Sequence, residues 1–257
     1  LNRTTPVLGV VGDSYFAATQ DLPDRDDCKD SGGKHYTEIM ADQLGYDYFT
    51  LARGGCSNTA IRLQLDEMIS QQVDFVIYGT TTAGRIEYPI NNDFDISKGV
   101  YNFKYDHCPD LSVLHGQFNH NNIRSETLSN IVDDKSCDFV KNSAQQQAVE
   151  NYLLHLYSEH IRSYQDAWII SSGVQALENA NIPYLLIMIH NYDDYTDYFA
   201  KSNPRFVTSK NNELSDLLPQ NYPDALRRYH TSDQSQAKIA EKTLEHIKKH
   251  SLLELSC

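Results

Sequence analysis

Four short stretches of the chain hold residue types that acyl chemistry needs. Gly12-Asp13-Ser14 offers a hydroxyl, which becomes a nucleophile only when a base takes its proton and donors hold the resulting oxyanion. The same tripeptide is equally a turn, since all three residues are turn formers. Arg53-Gly54-Gly55-Cys56-Ser57-Asn58 sets two glycines side by side, so the backbone can approach a ligand and aim an N–H at it. Ser57 or Asn58 would at the same time cap a following helix. Gly79-Thr80-Thr81-Thr82-Ala83-Gly84-Arg85 gathers hydroxyls and a guanidinium, which suit an anionic or hydroxylated ligand or else form a polar loop with a solvated arginine. His230 stands just before a helical stretch, and only partnership with Ser14 would make its imidazole a catalytic base.

These residues act together only if the fold gathers them. Apolar runs at Val7–Val11, Tyr46–Ala52, Val73–Tyr78 and Tyr184–Ile189, each bounded by turn residues, are expected as buried parallel strands. Helical spacing lies between them: Tyr36, Ile39, Met40 and Leu44 with Gly45 as a stop, then Ile61, Leu65, Met68 and Ile69. A long stretch from about Ser143 to Asn181 carries Leu153, Leu156, Tyr157, Ile161, Tyr164, Trp168 and Ile169, and a last helix spans roughly Gln234 to His250. This alternation predicts an α/β fold, a three-layer α/β/α sandwich around a mostly parallel sheet. Ligands of such sheets bind beyond the carboxyl ends of the strands, where all four stretches begin. With 257 residues, near the size at which single cores stop growing (roughly 250–300 residues), one domain over 1–257 is expected. Residues 86–142, with little periodicity but much Tyr, Asn, Asp and His, are expected as an inserted lid or specificity region.

In their order and strand context, the four stretches resemble the SGNH (GDSL-type) hydrolases. The blocks of that family carry Ser, Gly, Asn and His at successive strand ends. Gly12-Asp13-Ser14 matches the nucleophile block, and Arg53-Gly54-Gly55-Cys56-Ser57 is similar to the Asn-x-Gly-x-Ser block, which puts the oxyanion glycine at Gly55. Gly79-Thr80-Thr81-Thr82-Ala83 fits the Gly-x-Asn-Asp block in position but not in identity, and His230 leads the last block. The resemblance covers roughly residues 6–90 and 180–250. It implies a flavodoxin-like SGNH hydrolase fold, with Ser14 attacking an ester and His230 moving the proton. It also implies an oxyanion held by the N–H groups of Ser14 and Gly55, with Thr81 as a third donor. Asp13 and Arg85 are expected at the substrate. Two departures stand out: Thr81 replaces the oxyanion Asn, and Arg227 occupies the position of the orienting Asp three residues before His230. Asp224, six residues before His230, is the substitute; without it Ser14 and His230 act as a dyad. The departures also admit a degraded member of the family that binds carbohydrate or serves in assembly.

Composition narrows the partners. There are 22 basic and 35 acidic residues, a net charge of −13, which is the wrong sign for a protein that neutralises phosphates. No apolar run approaches the roughly 18 residues that span a bilayer. Small molecules, carbohydrates or other proteins are therefore expected as partners, with no nucleic acid or membrane; the resemblance narrows this to a small-molecule or carbohydrate ester, with no cofactor or metal. Five scattered cysteines form no disulfide framework and favour a reducing, cytoplasmic setting. His107, Cys108, His115, His120 and Cys137 are ligand types without a compact metal-binding pair. Tyr101, Phe103, Tyr105 and Phe118 could stack on sugars but serve equally as lid packing. Cys56 is expected as a buried structural thiol, and His155 and His160 as surface or boundary residues on the long helix.

Overall fold

The computed structural model describes residues 3–13, 15–17, 34–52, 56–81, 86–89, 111–114, 151–152, 155–188, 203–208 and 233–253. The run Val7–Val11 forms β1, buried at every position, as a strand covered on both faces requires. It pairs in parallel with β2 (Asp47–Thr50) on one side and β3 (Phe75–Gly79) on the other. Beyond β3 lie β6 (Tyr184–Ile187) and β7 (Phe206–Val207), again parallel. The sheet order is therefore β2-β1-β3-β6-β7. The chain moves from β1 to one neighbour and then crosses to the other, which puts a topological switch point between the carboxyl ends of β1 and β3.

Helices cover both faces. On one, α1 (Tyr36–Leu44) packs against α4 (Asp233–Lys249); on the other, α2 (Asn58–Ser70) packs against α3 (Glu159–Asn179). Strand alternation divides the core accordingly: Leu8, Val10, Phe75, Ile77, Leu185 and Ile187 face α1 and α4. Val7, Val11, Val76, Tyr78, Tyr184 and Leu186 face α2 and α3. The fold is thus an α/β/α sandwich on a parallel sheet, as its alternating pattern implied. Gly45 ends α1 in the left-handed conformation (φ 69°), and Ser57 caps α2 by accepting from the Ala60 N–H at 3.2 Å.

Three details depart from expectation. The long helical stretch resolves into α3, which starts at Glu159 behind its cap Ser158, so His155 precedes that helix. Three of the apolar residues expected to pattern the helix also face outward: Ile161, Tyr164 and Trp168 are exposed, while Ala167, Ile170, Val174 and Leu177 are buried beside Ser163 and Asp166. A methyl group on Gly173 would lie 2.6 Å from the Tyr78 hydroxyl, so at that position the inner face of α3 has no room for a side chain. Finally, β4 (Ile86–Pro89) and β5 (Leu111–Leu114) form an antiparallel pair, for which no strands were expected, inside the inserted stretch of little periodicity. Hydrophobic periodicity cannot flag two four-residue strands with so long a connection between them.

Trp168 is the chain's single tryptophan and is 63% exposed. Its fluorescence is accordingly expected to be quenched efficiently by iodide. A shielded, blue-shifted emission would show instead that this face of α3 is covered in solution.

Candidate active site

The segment leaving β1 is built around Asp13. Its backbone carbonyl accepts from the Phe16 N–H at 3.0 Å and the Ala17 N–H at 3.1 Å. Its side-chain Oδ1 accepts from the Tyr15 N–H at 3.0 Å, a turn in which the carboxylate imitates a backbone partner. The other oxygen, Oδ2, accepts the Thr81 hydroxyl at 2.7 Å. Asp13 and Thr81 are both fully buried. The ends of β1 and β3 are thereby tied across the switch point.

Further bonds hold Gly12 and Tyr15, which flank Asp13-Ser14. The Gly12 N–H donates to Gln64 Oε1 at 2.9 Å, and Gln64 in turn donates from Nε2 to the Cys56 thiol at 3.2 Å. The Tyr15 carbonyl lies 2.9 Å from His35 Nε2. Because a carbonyl only accepts, Nε2 carries the proton, and neutral His35 then accepts the Thr37 hydroxyl at Nδ1, 2.7 Å away. That leaves Tyr48 to donate its own hydroxyl to Thr37 Oγ1 at 3.0 Å. His35 also caps α1, forming a capping box with Glu38. One imidazole therefore fixes the start of a helix and the residue that follows Ser14.

Steric fit adds to these bonds. The Phe16 ring is fully buried and lies against both strand-end glycines. A methyl group on Gly79 would come 2.2 Å from Phe16 Cε2, and one on Gly12 would come 2.5 Å from Phe16 Cδ2. Glycine at both positions makes room for the ring that anchors the turn. Beside it, burial holds the Tyr36 phenol well above its usual pKa, with the negative fields of Tyr48 and Asp13 adding to the shift. Tyr36 is thus a neutral phenol at physiological pH and no candidate for a base.

Of the residues singled out from the sequence, Asp13 and Thr81 are brought together, and both point into the protein. Asp13, expected at the substrate, has both carboxylate oxygens engaged within the chain. Thr81, expected as a third oxyanion donor, gives its one hydroxyl proton to Asp13. Ser14, Gly55, Arg85, Asp224 and His230 lie outside the described residues, as do Tyr101, Phe103, Tyr105, Phe118, His107, Cys108, His115, His120 and Cys137. Cys56 is buried, as expected, and His155 and His160 are exposed; the His160 ring lies edge-on to Tyr164 at 4.8 Å. Among the described residues no cluster of three or more His, Cys, Asp or Glu side chains could hold a metal, and no helix is long and apolar enough to cross a membrane. Residue-by-residue reading of the sequence missed His35, Gln64 and Phe16. For Phe16 alone there was a signal, an aromatic two residues after the serine with glycine at two neighbouring strand ends.

No family model matches the chain, and no curated protein does. Among solved structures the chain is similar to the acetyl xylan esterase AlAXEase, at 13% identity and TM-score 0.43, over 94% of this chain and 99% of that one. It is also similar to the psychrotrophic esterase EstA from Pseudoalteromonas sp., in a structure inhibited by monoethylphosphonate, at 11% identity and TM-score 0.44, over 95% of this chain and 98% of that one.

Proposed function

We propose that the protein is a serine hydrolase that cleaves a carboxylic ester, with a hydroxylated or glycosidic compound as substrate. The observation that carries this reading is the anchoring of Asp13 and Tyr15, on either side of Ser14, at the carboxyl edge of β1 beside the switch point. A serine between two such fixed neighbours loses little freedom when it attacks, which is what a preorganised nucleophile requires. In the proposed reaction Ser14 Oγ attacks the ester carbonyl while His230 takes its proton and then passes it to the leaving alcohol. Asp224 orients the imidazole. The N–H groups of Ser14 and Gly55 hold the oxyanion, and Thr81 joins them only by turning its hydroxyl away from Asp13. Water then attacks the acyl-serine, His230 taking its proton and passing it to Ser14 Oγ as the acyl–oxygen bond breaks and the carboxylic acid leaves. Arg85 is the proposed contact for an acidic group on the substrate.

A second reading has its own support. The engagement of Thr81 with Asp13 and the presence of Arg227 in place of an orienting carboxylate favour a degraded hydrolase that binds carbohydrate or serves in assembly. Treatment with a fluorophosphonate followed by peptide mass spectrometry separates the two. The hydrolase reading expects one adduct, on the peptide that carries Ser14. No adduct there, together with no hydrolysis of p-nitrophenyl acetate or acetylated glycosides, would favour the binding role.

A further inference from the structure

The hydrogen bonds that start at Asp13 continue past Thr81 into the helical layer. Asn58, at the first turn of α2, donates from Nδ2 to the Thr81 carbonyl at 3.0 Å and accepts the Thr81 N–H at Oδ1, 2.9 Å away. Its second Nδ2 proton goes to Asp166 Oδ2 on α3 at 3.0 Å. All of these groups are buried. On its other oxygen Asp166 is paired with Arg162, 3.3 Å from Nη2.

Each partner leaves the next little choice. β3 ends at Gly79, so past the strand Thr81 takes both backbone bonds from the Asn58 amide instead of from a neighbouring strand. An aspartate at position 58 could not donate to the carbonyl, and an alanine could do neither. Asp166 selects one of the two amide orientations, because a carboxylate only accepts and the flipped amide would set oxygen against oxygen. Arg162 offsets the charge that Asp166 brings into the interior. With its backbone held on both sides, Thr81 presents its hydroxyl to Asp13.

We infer that Asn58 and Asp166 are positioning residues, which act through Thr81 to hold the Asp13 carboxylate and hence the turn that carries Ser14. The consequence for catalysis rests on the reading of Ser14 as nucleophile; the consequence for the turn does not. The test compares Thr81→Val, Thr81→Ser and Asn58→Leu with the unaltered chain by hydrogen exchange at the Tyr15, Phe16 and Ala17 amides. Losing a hydrogen bond to a buried carboxylate is expected to lower protection there by about tenfold or more in Thr81→Val and Asn58→Leu. Protection should be retained in Thr81→Ser, which keeps the hydroxyl. With a reactive ester, kcat should fall by on the order of 100-fold in Asn58→Leu while KM holds, since Asn58 touches no substrate.

Undiminished protection in both Thr81→Val and Asn58→Leu would overturn the inference whatever turnover does. Loss in Thr81→Val and retention in Thr81→Ser would support it even for a chain inert toward every ester, in which case the hydrolase reading alone fails. Should Asn58→Leu not fold, the two Thr81 variants, which differ by a hydroxyl and a methyl group, carry the comparison.

Discussion

Ester turnover by a Ser14→Ala variant is expected to fall by on the order of 10⁶-fold, to the level that the rest of the site sustains alone. The expectation is that steep because, on the proposed mechanism, the acyl-serine pathway disappears whole while the oxyanion donors and substrate contacts remain. The neighbours of Ser14 hold their bonds through Asp13 Oδ1, Asp13 Oδ2 and the Tyr15 carbonyl, none of which involves the serine side chain. Thermal stability should therefore stay within about 0.5 kcal/mol of the unaltered chain, as for a substitution away from the core. Initial rates on p-nitrophenyl acetate and on acetylated glycosides, beside a melting curve, check both halves. An Asp224→Ala variant measured in the same series separates triad from dyad: an orienting carboxylate is worth roughly 10⁴-fold, a bystander almost nothing. A Ser14→Ala protein as active as the original would end the hydrolase reading.

Phe16→Ala is expected to cost about 3–5 kcal/mol of stability, the range for emptying a fully buried aromatic site. For a chain of this size that corresponds to a fall in Tm of roughly 10 °C. The neighbours are unusually ill-suited to close the hole: Gly12 and Gly79, which flank the ring, have no side chains to move into it. On the proposed mechanism activity should drop along with stability, because the ring packed against Gly12 and Gly79 anchors the turn around Asp13. Gly79→Ala makes the reverse error, pressing a methyl into the ring at a cost of about 1–3 kcal/mol. The double variant should then lose less than the sum of the two, since the added methyl enters the vacated space. Strict additivity by thermal or urea unfolding would show that the ring and Gly79 do not share one packing site.

The strands of the sheet were legible because their signal is local. Val7–Val11 is a continuous apolar run bounded by proline and glycine, and it became β1 with the same limits. Tyr36 to Leu44 with Gly45 behind it became α1 with its left-handed cap. Expected strand ends elsewhere missed the observed ones by one or two residues, mostly by running past them and at β3 by stopping at Tyr78 before Gly79, since backbone pairing and not apolar character stops a strand. The outward face of α3 went the other way. Its spacing announced a helix correctly, but apolar residues lie on both of its faces, and the close passage of Gly173 by Tyr78 is a tertiary contact that periodicity does not report.

For the site the division is sharper. Gly-Asp-Ser after one strand and a threonine run after another were visible in the chain, and strand alternation alone implied that both would lie at the carboxyl edge of a parallel sheet. That much the amino-acid sequence determined by itself: the residue types available and the edge at which they collect. What Asp13 and Thr81 do there was decided by tertiary structure. Their bond joins positions 68 apart, and the Asn58–Asp166 bond joins positions 108 apart, spans over which no local pattern operates. Buried polar groups must find partners where the packed elements happen to meet. The parallel sheet and its two helical layers selected those partners, setting the Thr81 hydroxyl on the Asp13 carboxylate and the Asn58 amide on the Thr81 backbone.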